Sequence, residues 1–282
     1  MKIKYALLDS WCERNVTNKE IDFLLHISHY QDERGQIMGI YYRDVCNACN
    51  MSIQTFYDVL RSLQKKEIIT YTSVNYDYDI TILDNDFSYK GSYEEGYVNV
   101  SKSVFDSKSF KSLRAKEKML FLLFMKVTHG AERSYRQGTE DFYKKYMDLL
   151  GVTKNILRTY LHSLKKFFSI GRKNGKHYVT YLASIFKPKR SESETDQFLG
   201  HVVKADCRRS KIKEIEDEAI KDTIQLVKQY RKEARDQGRD ILEIIKDSIS
   251  DSVQNFKHKI LDAKYVHKLV RNQLGLKVAL NK

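Results

Sequence analysis

Residues 45–63 read Val45-Cys46-Asn47-Ala48-Cys49-Asn50-Met51-Ser52-Ile53-Gln54-Thr55-Phe56-Tyr57-Asp58-Val59-Leu60-Arg61-Ser62-Leu63. Residues 147–164 read Met147-Asp148-Leu149-Leu150-Gly151-Val152-Thr153-Lys154-Asn155-Ile156-Leu157-Arg158-Thr159-Tyr160-Leu161-His162-Ser163-Leu164. At one constant offset Ser52 falls on Thr153, Phe56 on Leu157, Leu60 on Leu161 and Leu63 on Leu164. Each stretch is a short apolar helix, a tight turn, a Ser or Thr N-cap and a second helix with apolar residues three and four apart, the pattern of a helix-turn-helix. A second copy in the same chain makes coincidence a poor explanation. The pair points to nucleic-acid binding rather than catalysis.

Working outward, each copy is preceded by a helix and followed by a hairpin. Thr17-Asn18-Lys19-Glu20 has capping-box spacing and leads into Ile21, Phe23, Leu24, Leu25 and Ile27. Gly35 and Gly39 bracket a short connection, and the β-prone runs Ile68–Val74 and Tyr78–Leu83 flank an Asn75-Tyr76-Asp77 turn. In the second copy, Leu113 to Lys118 leads into an apolar helix over Met119–Val127. There Asn174-Gly175 separates Ser169–Lys173 from His177–Leu182, a strong hairpin signal because both turn residues must accept positive φ.

The expected fold is therefore α+β, mainly α: two tandem winged helix-turn-helix domains with a C-terminal helical extension. The boundaries are 14–84 for the first domain, 85–112 for a Tyr-, Ser- and Gly-rich connector with a strand around Tyr97–Val100, and 113–187 for the second domain. A linker at 188–210 holds the only proline, Pro188, and the extension covers 211–276. In the extension, Ile212, Ile215, Ala219, Ile220, Ile224 and Val227 keep helical spacing up to Gly238. Asp240 with Glu243 caps a second stripe running Leu242, Ile245, Ile249, Val253, Phe256, Ile260, Ala263, Val270 and Leu274. That stripe, within 241–274, either packs back on the winged helices or joins this chain to another copy or a protein partner.

The chain has 282 residues and a net charge of 50 − 37 = +13. Residues 1–90 carry 10 Lys/Arg against 13 Asp/Glu, residues 91–187 carry 19 against 8, and residues 188–282 carry 21 against 16. Clustered cations bind polyanions by releasing counterions, so the middle third is the expected phosphate-facing region. The longest apolar run, Met119–Met125, has seven residues, far short of a membrane span, and no secretory signal is seen. Four cysteines, Cys12, Cys46, Cys49 and Cys207, make no disulfide framework, and a reducing cytoplasm is the expected compartment.

With Phe56, Leu60 and Leu63 as core, the first recognition helix offers Ile53, Gln54, Tyr57 and Asp58 to a groove; the second offers Lys154, Asn155, Arg158 and Thr159 behind the Thr153 cap. Arg and Lys bond guanine O6 and N7 and Asn bonds adenine, so the second set reads as base-contacting. Gln54 and Tyr57 are the weaker pair, beside acidic Asp58. Arg172, Lys173, Lys176 and His177 place cations on the second hairpin for phosphate or minor-groove contact. On the first hairpin, Tyr71, Tyr76 and Tyr78 are read as packing on a neighbouring unit, since Asp77, Asp79, Asp84 and Asp86 would repel DNA.

No metal or cofactor is expected. Cys46-x-x-Cys49 lacks a second ligand pair, and Cys49 aligns with Leu150 of the repeat, so both cysteines are assigned to the core. The four wing aspartates have no nucleotide motif to accompany a magnesium ion, and Gly171-x-x-x-Gly175-Lys176-His177 has neither the spacing nor the final residue of a phosphate-binding loop.

Two winged helices in tandem over about residues 14–187, with Ser52 and Thr153 at the caps and Leu60 and Leu161 in the cores, resemble the two-winged-helix initiators of plasmid replication. The local pattern is equally similar to that of many bacterial transcription regulators. The initiator resemblance implies that the second unit reads repeated origin sequences while the first assists dimerisation or backbone contact. The expected function is double-stranded DNA binding by a sequence-specific transcriptional regulator, with a plasmid or phage replication initiator as the alternative. A winged-helix protein-interaction module is the alternative of a different class.

Overall fold

A computed structural model of the chain describes residues 2–131, 133–182, 193–255 and 260–276. The fold is α+β and mainly helical, and its contacts divide into two compact units. The first holds the residues up to Ile37, Tyr42–Tyr71, and Ile80 through the second hairpin. The second holds Met38–Tyr41, Thr72–Asp79 and the helices that follow the second hairpin.

The chain opens with β1 (Lys2–Lys4) and α1 (Tyr5–Glu13), followed by α2 (Asn18–Ile27), β2 (Gln36–Tyr41), α3 (Tyr42–Cys49), α4 (Ile53–Lys65), β3 (Ile69–Val74) and β4 (Asp77–Ile82). Then come β5 (Tyr97–Asn99), α5 (Lys102–Asp106) and α6 (Lys108–Lys111). The repeat follows as α7 (Ala115–Thr128), β6 (Tyr135–Gly138), α8 (Thr139–Leu150), α9 (Lys154–Leu164), β7 (Phe168–Lys173) and β8 (Lys176–Tyr181). Helix, strand, helix, helix, hairpin thus occurs twice, and the strand orders β2-β4-β3 and β6-β8-β7 are equivalent. The first helices also start alike. Glu20 accepts a hydrogen bond from Thr17 N at 2.6 Å, and Glu117 accepts one from Arg114 N at 2.8 Å, each satisfying an amide left open at the helix start.

In the first unit α7 is the spine. Met119 to Met125 are all buried, so this helix is covered on every side, as an all-round apolar helix must be. It packs on α1, α2, α8, α9, β5 and β8. Its one buried cation, Lys118, is fully enclosed and meets Asp22 of α2 at 2.6 Å. Burial lowers the pKa of Lys118, and Asp22 opposes that shift.

The structure corrects several sequence boundaries. Residues before 14 are part of the first unit: Ile3, Leu7, Leu8 and Trp11 are buried, and β1 pairs antiparallel with β5, Ile3 opposite Val98. The segment 85–112 is not a loose connector. The Asn85 side chain accepts from Lys4 N and donates to the Lys2 carbonyl, both at 3.0 Å, while Phe105 and Phe110 sit in the core. The Gly35–Gly39 connection is mostly β2. Thr153 stands at the N-cap of α9 but its side chain makes no cap hydrogen bond, whereas Ser52 accepts from Thr55 N at 3.1 Å.

In the second unit, α10 (Glu194–Arg209) occupies most of the stretch read as linker; Pro188 lies outside the described residues. It is followed by α11 (Asp217–Asp236), α12 (Ile241–Asn255) and α13 (Ala263–Gln273). The stripe from Leu242 to Leu274 is two helices rather than one, and Phe256 within it lies outside the described residues. Ile241, Ile244, Ile245, Ile249, Leu261, Val266, Val270 and Leu274 are buried together with Val203 and Cys207 of α10 and Ile224 and Val227 of α11. Most of the described stripe within 241–274 is thus buried inside the unit, while Ile260 is exposed. Among the described residues no helix is long and apolar enough to cross a membrane.

Removing one member of a buried ion pair leaves an uncompensated charge, at about 3–5 kcal/mol, whereas replacing both with apolar groups is often neutral. Urea unfolding of Lys118→Ala should show that loss, and Asp22→Leu with Lys118→Met should recover most of it. A loss below about 1 kcal/mol would mean that the pair is not what fixes α7 against α2.

Candidate nucleic-acid interface

In the second repeat Leu157, Tyr160, Leu161 and Leu164 anchor α9, and Lys154, Asn155, Ile156, Arg158 and Thr159 are exposed. Helix α8 buries Phe142, Tyr146 and Leu150 at four-residue intervals, which leaves Tyr143 half-buried just beside that stripe. The Tyr143 ring lies beneath two cations of α9, with Lys154 Nζ 4.9 Å and the Arg158 guanidinium 5.8 Å from its centroid. Both separations fall within cation–π range, so one ring holds the two side chains together. Sequence reasoning missed Tyr143. The signal was present in the Phe142-x-x-x-Tyr146-x-x-x-Leu150 spacing, which places Tyr143 at the margin of the buried face.

The start of α9 runs against ordinary helix electrostatics. Its first turn carries no acidic residue, it begins with Lys154, and Thr153 caps nothing. Its positive dipole end is thus not compensated by a side chain of its own first turn.

The hairpin β7–β8 turns through Asn174 and Gly175, with φ of 50° and 70°, the left-handed pair a tight two-residue turn requires. Thr139 at the start of α8 fixes this turn: its N and Oγ1 both donate to the Gly175 carbonyl, at 2.9 and 2.8 Å. Arg172, Lys173 and Lys176 are exposed and form no ion pair among the described residues. His177 does not join them. It is only 6% exposed, packs 4.4 Å from the Phe142 ring and 5.3 Å from Tyr143, and faces Arg172 across the hairpin. Burial, and then Arg172, lowers its pKa, so the hairpin tip carries three cationic residues where the sequence offered a fourth.

The first repeat uses the equivalent positions differently. Gln54 donates to Asp58 at 3.1 Å and Arg61 bonds the same carboxylate at 2.6 Å, so the polar face of α4 is occupied by its own side chains. Tyr57 is half-buried and meets Phe56 edge-on, with ring centroids 5.4 Å apart. At the outer part of the first hairpin, within the second unit, Tyr76 is exposed and the aspartates pack instead. Arg208 Nε meets Asp77 at 3.1 Å and Arg208 Nη2 donates to the Gly39 carbonyl at 2.7 Å, while Arg209 Nη2 meets Asp79. His201 Nε2 lies 2.6 Å from the Met38 carbonyl oxygen. The acidic hairpin is thus held by α10 through its aspartates, while Tyr76 does not pack as the sequence suggested. Gly39, at φ 70°, permits the approach: a Cβ there would lie 2.1 Å from the Ala205 Cβ.

Cys49 is buried with its Sγ 3.5 Å from the Asp22 carbonyl, while Cys46 is half-buried. Burial raises the Cys49 pKa to about 12, with Asp22 contributing, so the thiol stays protonated. Among the described residues no group of three or more His, Cys, Asp or Glu side chains could hold a metal. Protein-family models, curated proteins and solved structures return no match to this chain.

Two outcomes follow from this geometry. Gly39→Ala must displace α10, since the opposing atom belongs to a rigid alanine; hydrogen exchange in α10 should accelerate while amides in α8 and α9 keep their protection. Unchanged protection of α10 in Gly39→Ala would count against this close approach. For His177, the neutral form is the native one, so its stabilisation is complete above the unfolded-state pKa of about 6.5 and is lost as pH falls below it. The melting temperature should drop more steeply between pH 7 and pH 5 in the wild type than in His177→Phe. Equal slopes would mean that His177 is not protected from protonation.

Proposed function

We propose that the chain is a tandem winged-helix protein that binds double-stranded DNA through its second winged helix, without catalysis. The observation that carries this reading is that Tyr143 links two sets of exposed cations: its ring lies under Lys154 and Arg158 of α9 and against His177 of the hairpin that bears Arg172, Lys173 and Lys176. A helix of this size fits the major groove, where Arg158 and Asn155 have the donors and acceptors to read base edges, and the hairpin lies along phosphates or the minor groove. The first winged helix gives mechanical support. Its recognition helix has Gln54 and Asp58 engaged with each other, and its wing is held by Arg208 and Arg209.

Sequence-specific transcriptional regulation is the first reading of what such binding does. Replication initiation is the second, favoured by the division of labour between a cationic second repeat and a first repeat whose charges are internally paired. Mapping bound sites in the native genome separates them, because directly repeated sites beside an origin belong to an initiator and dispersed promoter sites to a regulator.

Titration at several salt concentrations tests the binding itself. Arg158→Ala should cost about 1–3 kcal/mol on a preferred site and relax specificity there. Lys173→Ala or Lys176→Ala should weaken binding to every sequence and reduce the salt slope by about one per lost phosphate contact. Tyr143→Leu should act in the same direction as Arg158→Ala, since it releases Lys154 and Arg158 together. Tyr57→Ala should have a smaller effect. If Tyr57→Ala abolished binding and Arg158→Ala did not, the roles of the two winged helices would be reversed.

A further inference from the structure

We propose that α9 selects A·T base pairs, with Asn155 taking adenine and with Ile156 and the Thr159 methyl taking thymine C5-methyl groups. This rests on the DNA-binding reading and specifies which sequence chemistry the helix recognises.

Three observations converge. Ile156 is 43% exposed, one of few large hydrophobic side chains left open among the described residues, and it sits in the first turns of the recognition helix. Its counterpart in the first repeat, at the same offset that aligns Ser52 with Thr153, is the polar Thr55. Thr159 is exposed, but its hydroxyl donates to the Asn155 carbonyl at 3.2 Å. With its proton directed at the backbone, Thr159 has a methyl group and no free donor to present. Asn155 is exposed, and its side-chain amide makes no hydrogen bond among the described residues.

These groups match one base pair better than the other. Adenine shows an acceptor at N7 and a donor at N6, which one carboxamide can bond together; guanine shows two acceptors, O6 and N7, and one carboxamide cannot satisfy both. The thymine paired with that adenine places its methyl on the same major-groove edge, the only apolar feature a base pair offers there. At 3.6 residues per turn, Asn155 and Thr159 lie near the middle of the exposed face. Ile156 lies on one flank, with Lys154 and Arg158 on the other, over Tyr143. The face is thus graded from apolar to cationic. The apolar side faces thymines, and the cationic side faces guanine or phosphate.

Deoxyuridine removes the thymine methyl and leaves base pairing intact, so it isolates this contact. Duplexes enriched by the full chain from a random-sequence pool would be resynthesised with each thymine replaced singly by deoxyuridine. One or two replacements should weaken wild-type binding about threefold to tenfold, the size expected for losing one buried methyl contact. The sensitivity should disappear in Ile156→Ala at one position and in Thr159→Ser at a neighbouring one. Both side chains are exposed, so each variant should keep the wild-type melting temperature. Enriched duplexes in which deoxyuridine is neutral at every thymine would leave DNA binding standing and overturn the methyl contacts. Sensitivity that persists unchanged in both variants would also overturn them, because another residue would then be reading the methyl. Failure to bind any duplex would remove the DNA reading and this inference together.

Discussion

The first unit depends on one helix that has no solvent-facing side for most of its length. From Met119 to Met125 every side chain of α7 is buried, so neighbours must close around it on all sides. Helix α1 precedes the repeats, α2 comes from the first, and α8, α9 and β8 come from the second. Hydrophobic burial alone would tolerate sliding, because an apolar cylinder offers many nearly equivalent registers. The Lys118–Asp22 pair removes that freedom. Displacing α7 against α2 by one turn, about 5.4 Å, would leave two buried charges without partners. This also explains why the N-terminal strand and the 85–112 segment are ordered. The strand supplies Ile3, and the segment supplies Val98, Phe105 and Phe110, which complete the wall around the same core.

Two repeats with equivalent strand orders differ in what they leave unsatisfied. In the first, charges find protein partners: Lys66 with Glu20 at 2.7 Å, Arg61 with Asp58 at 2.6 Å, and Asp77 with Arg208 of α10 at 3.1 Å. In the second, Lys154 stands at a positive helix end without a cap, beside Arg158 and over the same tyrosine. That arrangement is unfavourable for an isolated helix and becomes favourable when an anion arrives. The repeats thus share an architecture and differ in how far its charges are locally compensated.

What could be read from the sequence was whatever depends on neighbours along the chain. The Thr17–Glu20 box, the Asn174-Gly175 turn and the core positions Leu157, Leu161 and Leu164 follow from spacing alone. Elements too short for a period were invisible, among them α5 and α6, of five and four residues, and the strand β2 with glycine inside it. Helix α10 was hidden by a polar, charged composition that resembles a linker. The C-terminal stripe kept helical spacing across a break in the helices, so periodicity overstated its length and missed its burial. The clasp of Asp77 by Arg208 joins residues 131 apart, and no local pattern announces it.

Net charge shows the same limit in a form that bears on function. Of the excess cations of residues 91–187, several are already paired: Lys118 with Asp22, Lys126 with Asp9 and Lys111 with Asp106. Arg208 and Arg209, which add to the positive balance of the C-terminal third, are bound to wing aspartates. His177, counted among the wing cations, is held neutral by burial. Paired charges displace few counterions when a polyanion approaches, because their field is already cancelled at short range. The charge that can meet phosphate is therefore smaller than the formal total and more localised. Among the cations left exposed, Lys154 and Arg158 are held over Tyr143 of α8, and Arg172, Lys173 and Lys176 stand on the hairpin whose turn bonds Thr139.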